Sequence, residues 1–492
     1  MRPRPSKAGI GLLIAALAVP GLGGSDSEQA IEAEREAKRF LEVFGQLERR
    51  LAQPFEAAAA VYGGALPGML RTLDPHSAFL DPQQFESLRE MQRSTEKGFG
   101  SVVNLLPGRV IVLQTLAGSP SERAGIAPGD EILVLNGQPL ARMPVEQLVA
   151  VLAGARQRQA ELMVKRPNFP KLLDMTLVPA EMADPSVSRH FLLEPGLAYV
   201  KILNFENETA PELRSVLESM DGEALEGLVL DLRGNPGGII EAAVQVAAFF
   251  LDPGDRILWI RGRSGPKEEL RVPAGFRPYG FPVRVLIDDR TASAAEIVAG
   301  ALRDHGRARV LGQRSFGKGL VQSVFELSGG TALALTTAFY ETPEEHSIQR
   351  WMGACGEYQI APCGGDEGAD SQRGGIAPDV VAGPRPLSEF EQVLLGSNSF
   401  LDFARDFVGK GRGIDSSFEP GNEMLDDFQL YLSQRHIRPS LSEWSATLEF
   451  IRSMLKQEVL NLTLGVAAGD EVEIRRDPAV LAAVRDLRRA GR

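Results

Sequence analysis

The sequence is short of cysteine, histidine and positive charge, and each shortage argues against a class of function. Among its 492 residues are two cysteines and five histidines. Cys355 and Cys363 have only His346 nearby, which leaves a zinc site without enough ligands. The formal net charge of −12 argues against a general affinity for nucleic acid, which requires a basic surface. We therefore expect neither a metal site nor a nucleic-acid partner.

Long hydrophobic runs are missing as well, except at the N-terminus. Three basic residues there precede an apolar run from Ala8 to about Val19, and small residues follow it. This order predicts a secretory signal peptide over residues 1–25 and a periplasmic or otherwise extracytoplasmic protein. The run is short for a membrane span, so an uncleaved N-terminal anchor is the alternative. In an oxidising compartment Cys355 and Cys363 most simply form a disulfide, with two free thiols as the alternative.

Changes of pattern along the chain define its organisation. Residues 26–92 carry Ala, Glu, Arg and Leu at helical spacing, which predicts a small helical region. Residues 93–180 show short apolar runs separated by turn signals, as in a compact unit of strands. Residues 186–383 alternate strands with helical stretches, which predicts stacked β-α units, and a Gly-rich stretch at 344–375 is interpreted as a surface insertion. Residues 384–492 are again helical, so the predicted fold class is multidomain α/β.

One glycine-rich stretch, Gly312 to Lys318, matches the G-x-x-x-x-G-K pattern of a phosphate-binding loop. That loop needs Ser or Thr after the lysine to hold Mg²⁺, and then a helix. Gly319 has no hydroxyl, and the residues that follow it, "LVQSVFEL", have the apolar and β-branched pattern of a strand. We therefore reject nucleotide binding, and Lys318 needs another explanation.

Two strand-to-helix junctions offer groups suited to catalysis. Ser293 lies where "VRVLIDD" gives way to a helical pattern, so helix amides would face a ligand there. The alternative is an ordinary helix cap, with Glu296 completing a capping box. In "DLRGNPGG", Gly237 and Gly238 let the backbone approach a ligand and aim an N–H at it. The alternative there is a β-α turn that needs positive φ.

A serine hydroxyl becomes a good nucleophile only when a base takes its proton. None of the five histidines lies in an obvious motif for that role. A neutral lysine can act instead if it is buried, and Lys318 has the small and apolar neighbours that permit burial. Most lysines are solvated surface groups, so these residues alone leave its role open.

Three stretches, "DLRGNPGG", "TASAAEIVAGAL" and "GQRSFGKGLVQ", resemble in order and spacing the C-terminal processing peptidases, also called tail-specific proteases. The resemblance implies a crotonase/ClpP-like peptidase domain over 186–383 with a Ser–Lys dyad. It maps the nucleophile onto Ser293 and the general base onto Lys318, 25 positions later. Gln322 matches the glutamine that orients this lysine. The family's oxyanion hole matches three residues, Gly237, Gly238 and Ala294.

The second part of the resemblance concerns a PDZ domain over 93–180. The stretch "KGFGSVV" is similar to a carboxylate-binding loop, which implies that Gly98, Phe99 and Gly100 bind a chain end while the next strand pairs with it. The alternative is a spacer domain. One departure from the family is Ala295, which replaces the last serine of its S-A-S-A-S-E segment, and we expect no effect from it.

These matches predict an exported serine endopeptidase that recognises protein C-termini through its PDZ domain and cleaves through an acyl-enzyme, without metal or cofactor. Its expected partners are proteins and peptides with free C-termini. Its helical ends resemble those of family members that oligomerise, and an adaptor protein is left open. The alternatives are a non-catalytic PDZ scaffold and a crotonase-like acyl-thioester enzyme, although the latter leaves the PDZ domain and the signal peptide without a purpose.

Overall fold

The computed structural model describes residues 26–73, 76–93, 97–156, 158–181, 185–222, 224–263, 265–350, 374–411 and 413–490. The predicted signal peptide and the disulfide candidate Cys355–Cys363 lie outside these residues, so both stay predictions. Within them, several sheets and two helical regions confirm the predicted multidomain α/β fold class.

The N-terminal region is helical, as its pattern predicts. Its elements are α1 (Asp26–Arg50), α2 (Ala57–Ala60), α3 (Leu66–Leu73), β1 (Ala78–Leu80) and α4 (Pro82–Arg93). Strand β1 pairs antiparallel with residues 332–334, which belong to the α/β region at 186–383. Main-chain hydrogen bonds therefore join the N-terminal region to the α/β region.

The unit predicted to be a PDZ domain contains a six-stranded antiparallel sheet, in the order β3-β4-β5-β7-β8 with β6 beside β5. Strand β3 forms one edge of this sheet, and β4 is its only strand partner among the described residues. Val110, Val112 and Leu148 are fully buried in its core. The elements are β2 (Lys97–Gly98), β3 (Ser101–Leu106), β4 (Arg109–Thr115), α5 (Pro120–Arg123), β5 (Glu131–Leu135), β6 (Gln138–Pro139), α6 (Val145–Ala155), β7 (Ala160–Lys165), β8 (Leu173–Leu177) and β9 (Ala180–Glu181).

The α/β region is built on a mainly parallel sheet, in the order β10-β11-β12-β15-β16-β19. Strands β12 and β15 are buried along their whole length, as expected where both faces of a sheet are covered. A second, antiparallel sheet contains β1, β13, β14, β17 and β18. The elements are β10 (Val187–Glu194), β11 (Leu197–Ile202), α7 (Thr209–Ser219), β12 (Gly227–Asp231), α8 (Ile240–Ala248), β13 (Arg256–Gly262), β14 (Glu268–Arg271), β15 (Val283–Ile287), α9 (Ala294–Asp304), β16 (Ala308–Gly312), β17 (Leu320–Glu326), β18 (Ala332–Glu341) and β19 (Val380–Val381).

The C-terminal helices pack against two different parts of the protein. Ile111 of the PDZ unit shares a buried cluster with Phe400 and Phe428 of these helices. The last helix instead covers a face of the parallel sheet, where Val484 shares a cluster with Leu286. The elements are α10 (Glu389–Gly396), α11 (Ser399–Val408), α12 (Asn422–Gln434), α13 (Leu441–Thr463), α14 (Val466–Arg476) and α15 (Pro478–Ala490). Strand β1 and helix α15 therefore pack onto the α/β region, although the sequence assigns them to the separate N-terminal and C-terminal regions.

Candidate active site

Ser293 has a backbone conformation that an ordinary helix cap does not use. It precedes α9 with φ 55° and ψ −118°, whereas an N-cap residue is normally extended. Positive φ in a non-glycine residue is strained and persists only where its surroundings hold it. Ser293 itself is half-buried, while the adjacent Ala292 and Ala294 are buried. In the turn between β15 and α9, Ser293 is thus more accessible to solvent than either of its neighbours.

The Gly237–Gly238 turn lies directly against this serine. A Cβ added to Gly237 would lie 2.7 Å from the Cβ of Ser293 and 2.9 Å from the amide nitrogen of Ala294. A Cβ added to Gly238 would lie 2.1 Å from the carbonyl oxygen of Phe205. Both glycines also have positive φ, at 102° and 143°. No other residue type fits here, because close approach and backbone conformation each require glycine.

The three predicted oxyanion-hole amides differ in their hydrogen bonds. The amide of Gly237 donates to Asn235 Oδ1 at 2.8 Å, so it is already engaged. The amides of Gly238 and Ala294 have no hydrogen-bond acceptor within the described parts of the chain. The structure therefore leaves two of the three predicted donors, Gly238 and Ala294, available to a ligand oxygen.

Two residues that were not predicted as site residues hold this turn against Ser293. They are Asn235 and Thr291. Asn235 is fully buried, donates to the carbonyl of Ile202 at 3.0 Å and accepts the amide of Ala292 at 2.9 Å. The Thr291 hydroxyl donates to the carbonyl of Leu232 at 2.9 Å. Their only sequence signal is a polar residue beside an expected active-site turn.

A single buried carboxylate connects the serine to the lysine loop. Glu296 Oε2 accepts the amide of Ser293 at 2.8 Å and the amide of Lys318 at 2.9 Å. Its Oε1 accepts the amide of Gly317 at 2.7 Å and the hydroxyl of Ser315 at 2.5 Å. The sequence suggested Glu296 only as part of a helix cap. In the structure it joins the backbones of both predicted dyad residues.

Burial sets the ionisation of Glu296. The side chain is fully buried, and this burial raises the pKa of its carboxyl above the ordinary value. Hydrogen bonds from Ser315 and from the amides of Lys318, Gly317 and Ser293 oppose the rise. The site thus keeps a buried carboxyl group whose main partners are neutral donors.

The lysine loop is enclosed by a neighbouring segment. Lys318 is half-buried, and its amine makes no hydrogen bond to the described residues. A Cβ added to Gly317 would lie 2.7 Å from the Cβ of Arg350, and one added to Gly319 would lie 2.5 Å from the amide nitrogen of Gln349. The next element is β17, as predicted, and not the helix that a phosphate-binding loop requires.

Gln322 contacts the N-terminal region. Its Nε2 donates to the carbonyl of His76 at 2.8 Å, and its side chain is exposed. Within the described chain it forms no hydrogen bond to Lys318. The predicted role of Gln322 in orienting the lysine therefore stays a prediction.

The predicted carboxylate-binding residues lie together immediately before the edge strand β3. Gly98 pairs with Ala180 in a two-stranded ribbon, and Phe99 packs against the core of the PDZ unit. Gly100 has φ 70° and accepts the amide of Leu116 through its carbonyl at 2.8 Å. These residues lie in a different unit from Ser293 and Lys318.

Only one cluster in the described part of the chain has metal-ligand geometry. Asp304, Glu344 and His346 each place a ligand atom within 4.8 Å of the others, at the opposite end of α9 from Ser293. Two of the three side chains are exposed, and exposed acidic groups are common without an ion. Among the helices described, none is both long and apolar enough to span a bilayer.

Comparison with known proteins finds matches to a peptidase family and to a PDZ domain. Residues 196–362 match Peptidase family S41, and residues 111–166 match a PDZ domain. A carboxy-terminal-processing protease of Bartonella bacilliformis is 34% identical over 387 residues, which is 77% of this chain and 83% of that protein. Carboxy-terminal processing protease CtpA of Bacillus subtilis is 32% identical over 299 residues, or 60% of each chain. A solved photosystem II D1 C-terminal processing protease aligns with TM-score 0.42 and 25% identity, covering 73% of this chain and 93% of that one.

The fold and these matches define a serine-type peptidase that carries a PDZ domain. The chain belongs to the carboxyl-terminal processing proteases of Peptidase family S41, which confirms the family predicted from its sequence.

Proposed function

We propose that this protein is an exported endopeptidase in which Ser293 is the nucleophile and Lys318 the general base. The observation that carries the proposal is the strained backbone of Ser293, held by the same carboxylate oxygen of Glu296 that accepts the amide of Lys318. Backbone strain of this kind, held by surrounding contacts, is found most often at active sites. Export rests on the predicted signal peptide at 1–25.

The chemistry follows from these groups. The neutral amine of Lys318 takes the proton of Ser293, whose oxygen attacks the peptide carbonyl carbon. The amides of Ala294 and Gly238 stabilise the resulting oxyanion, and a donor of this kind contributes about 3 kcal/mol. When the tetrahedral intermediate collapses, protonated Lys318 gives its proton to the leaving amine. Water then hydrolyses the acyl-enzyme, with Lys318 again as base.

Labelling with a fluorophosphonate tests the nucleophile. The native protein should react at Ser293 alone, and Ser293→Ala should abolish the label. Ser323→Ala is a matched control, because Ser323 is a partly buried serine of β17 bonded to Thr337. If Ser293→Ala still reacts at the native rate, another residue is the nucleophile. If the native protein does not react while its PDZ unit binds peptides, the non-catalytic scaffold is the better description.

We further propose that Gly98, Phe99 and Gly100 bind the free C-terminus of a substrate, which pairs with the edge strand β3. Amidating that terminus removes its charge. Loss of one hydrogen bond to a charged group costs about 1.5–3 kcal/mol, so the amidated substrate should be cleaved about tenfold to a hundredfold more slowly below saturation.

Kinetics separate two forms of this tail recognition. An increase in KM alone would show that the PDZ unit only tethers the substrate, whereas a loss of kcat as well would show that tethering also aligns the dyad. Equal rates for the free and the amidated substrate would contradict tail recognition and leave the dyad proposal intact.

The N-terminal helix α1 supports the predicted homo-oligomer. Phe40, Val43 and Leu47 lie on it at coiled-coil spacing and are exposed. Acidic residues predominate in its first half, while Arg49 and Arg50 end it, so an antiparallel pair of copies would place opposite charges together. We expect sedimentation velocity to show a dimer that Leu47→Glu dissociates and the surface variant Glu42→Gln does not. A native monomer at micromolar concentration would contradict this proposal, and the adaptor is left open.

A further inference from the structure

Arg233 lies in the turn that carries Gly237 and Gly238, and its guanidinium joins two carboxylates. Nη2 contacts Asp231 Oδ2 at 2.6 Å, and Nε contacts both oxygens of Asp231 at 3.0 Å. Nη1 contacts Asp477 Oδ2 at 2.8 Å. Asp231 ends strand β12, whereas Asp477 lies between α14 and α15, so this one side chain connects the turn to the C-terminal helices.

The Asp231 end of this connection is rigid. Asp231 is fully buried and also accepts the hydroxyl of Tyr199 at 2.7 Å. Burial tends to raise the pKa of Asp231, but the charge and hydrogen bonds of Arg233, together with the charge of Lys201 and the hydroxyl of Tyr199, outweigh burial and hold the pKa below its ordinary value. A buried carboxylate that keeps its charge depends on its partner, so the position of Arg233 is closely fixed.

The Asp477 end is equally constrained, because its two oxygens have separate partners. Oδ1 accepts the amides of Ala479 at 2.8 Å and Val480 at 3.0 Å and so caps α15. Oδ2 is the oxygen that binds Arg233. Val480 is buried in the same cluster as Leu286 of the parallel sheet, which fixes the start of α15 against the sheet.

Hydrogen bonds also hold the residues between Arg233 and the predicted oxyanion hole. The next amide, that of Gly234, donates to Asp288 Oδ1 at 2.8 Å. Asn235 then accepts the amide of Gly237 at 2.8 Å. Every residue from Arg233 to Gly237 except Pro236 is therefore held by a hydrogen bond, so the turn has one closely fixed geometry and the contacts of Arg233 are part of what fixes it.

We propose that Arg233 and Asp477 are positioning residues through which helix α15 sets the geometry of the oxyanion turn. The C-terminal region thereby contributes to catalysis and not only to folding or assembly. This inference rests on the proposed function, since it assigns the Gly238 amide to the oxyanion.

A carboxylate that caps α15 and one that lies within this helix provide a matched test. Asp477→Asn keeps the cap, because asparagine caps helices as well as aspartate does, but it removes the negative charge that faces Arg233. Asp486→Asn is the control: Asp486 lies on the same helix and binds Arg284 at 3.0 Å and Arg309 at 2.6 Å, away from the oxyanion turn. Arg233→Lys keeps the positive charge but not the planar fork that bridges two carboxylates.

The expected result is a loss of kcat without a change in substrate binding. A displacement of about 1 Å in an active site can cost about a hundredfold, so Asp477→Asn and Arg233→Lys should lower kcat about tenfold to a hundredfold with KM nearly unchanged. Fluorophosphonate labelling should slow by a similar factor, because the reagent's oxygen also occupies the oxyanion hole. Asp486→Asn should keep native kcat and labelling rate, whatever its effect on the thermal midpoint.

Two outcomes would overturn the inference. Native kcat in Asp477→Asn would show that the turn does not depend on α15. Equal losses of kcat in Asp477→Asn and Asp486→Asn would show that the contact is merely structural. In both cases the native protein would still be labelled at Ser293, whereas absence of that label would contradict the proposed function itself.

Discussion

Ser293→Ala is expected to lower kcat/KM for an unfolded protein substrate by about 10⁴-fold or more, because loss of a nucleophile removes the whole covalent pathway. Lys318→Ala should cause a loss of similar size, since the serine then keeps its proton. The two residues act as one unit, so the double variant should be no slower than either single variant. Initial rates with a quenched fluorescent protein substrate measure all three.

The control for this result is a fold that stays intact. Each variant should keep the native circular dichroism spectrum and a thermal midpoint within a few degrees of the native value. Ser323→Ala should keep the native rate, because Ser323 bonds to Thr337 and not to the dyad. Turnover by Ser293→Ala or Lys318→Ala within tenfold of the native rate would contradict the proposed mechanism.

Glu296→Gln should lower both activity and stability. The NH₂ group that replaces one carboxylate oxygen would face donors that bind an acceptor in the native protein. These donors are the amides of Ser293 and Lys318, or the amide of Gly317 and the hydroxyl of Ser315. A buried donor without an acceptor costs about 1–3 kcal/mol, so two of them should cost about 2–6 kcal/mol of unfolding free energy. We expect kcat to fall about a hundredfold, because the serine and the lysine lose their common anchor.

A second capping-box glutamate is the matched control for Glu296. Glu391 is buried and accepts the amide of Ser388 at 2.8 Å at the start of α10, far along the chain from the dyad. Glu391→Gln should therefore lower the thermal midpoint while kcat stays native. If Glu296→Gln also keeps native kcat, the carboxylate is only a helix cap.

The raised pKa of Glu296 predicts how the stability difference depends on pH. Because burial raises this pKa above the ordinary 4.5, the folded protein retains the proton more firmly than the unfolded chain. Its contribution to stability is fully present below about pH 4.5 and is lost as the pH rises through the folded value. The unfolding free energy of the native protein relative to Glu296→Gln should thus decrease as the pH rises from 4.5, as urea titrations would show. If this difference in unfolding free energy instead increased with pH, the pKa of Glu296 would not be raised by folding.

Several features of the fold and the candidate site could be predicted from the sequence, because each depends on residues that are close together along the chain. Glycine at positions 237, 238, 317 and 319 marks close backbone approaches, which no other residue type permits. The strand after Lys318 followed from its apolar and β-branched pattern, and it formed as β17. The family followed from the resemblance of three short motifs to those of known peptidases, and the fold class followed from the alternation of strand and helix patterns along the chain.

Other features depend on contacts between residues far apart in the chain, and local patterns carry no signal for them. Gln322 donates to the carbonyl of His76, 246 positions away, and Arg233 contacts Asp477, 244 positions away. The engagement of the Gly237 amide by Asn235 is local, yet it depends on a side-chain orientation that residue types do not specify. The sequence could therefore list three oxyanion-hole amides but could not show which of them are available.

The sequence by itself indicated the family and the residue types that the proposed chemistry needs, because short motifs that resemble those of the family carry both. Only the tertiary structure decided that Glu296 joins the backbones of Ser293 and Lys318 and that α15 lies against the sheet behind the oxyanion turn. The physical reason is that burial and hydrogen bonding act between groups brought together by folding. A buried carboxylate accepts whichever donors the packed elements supply, and three of the four donors to Glu296 lie 19 to 22 positions away in sequence.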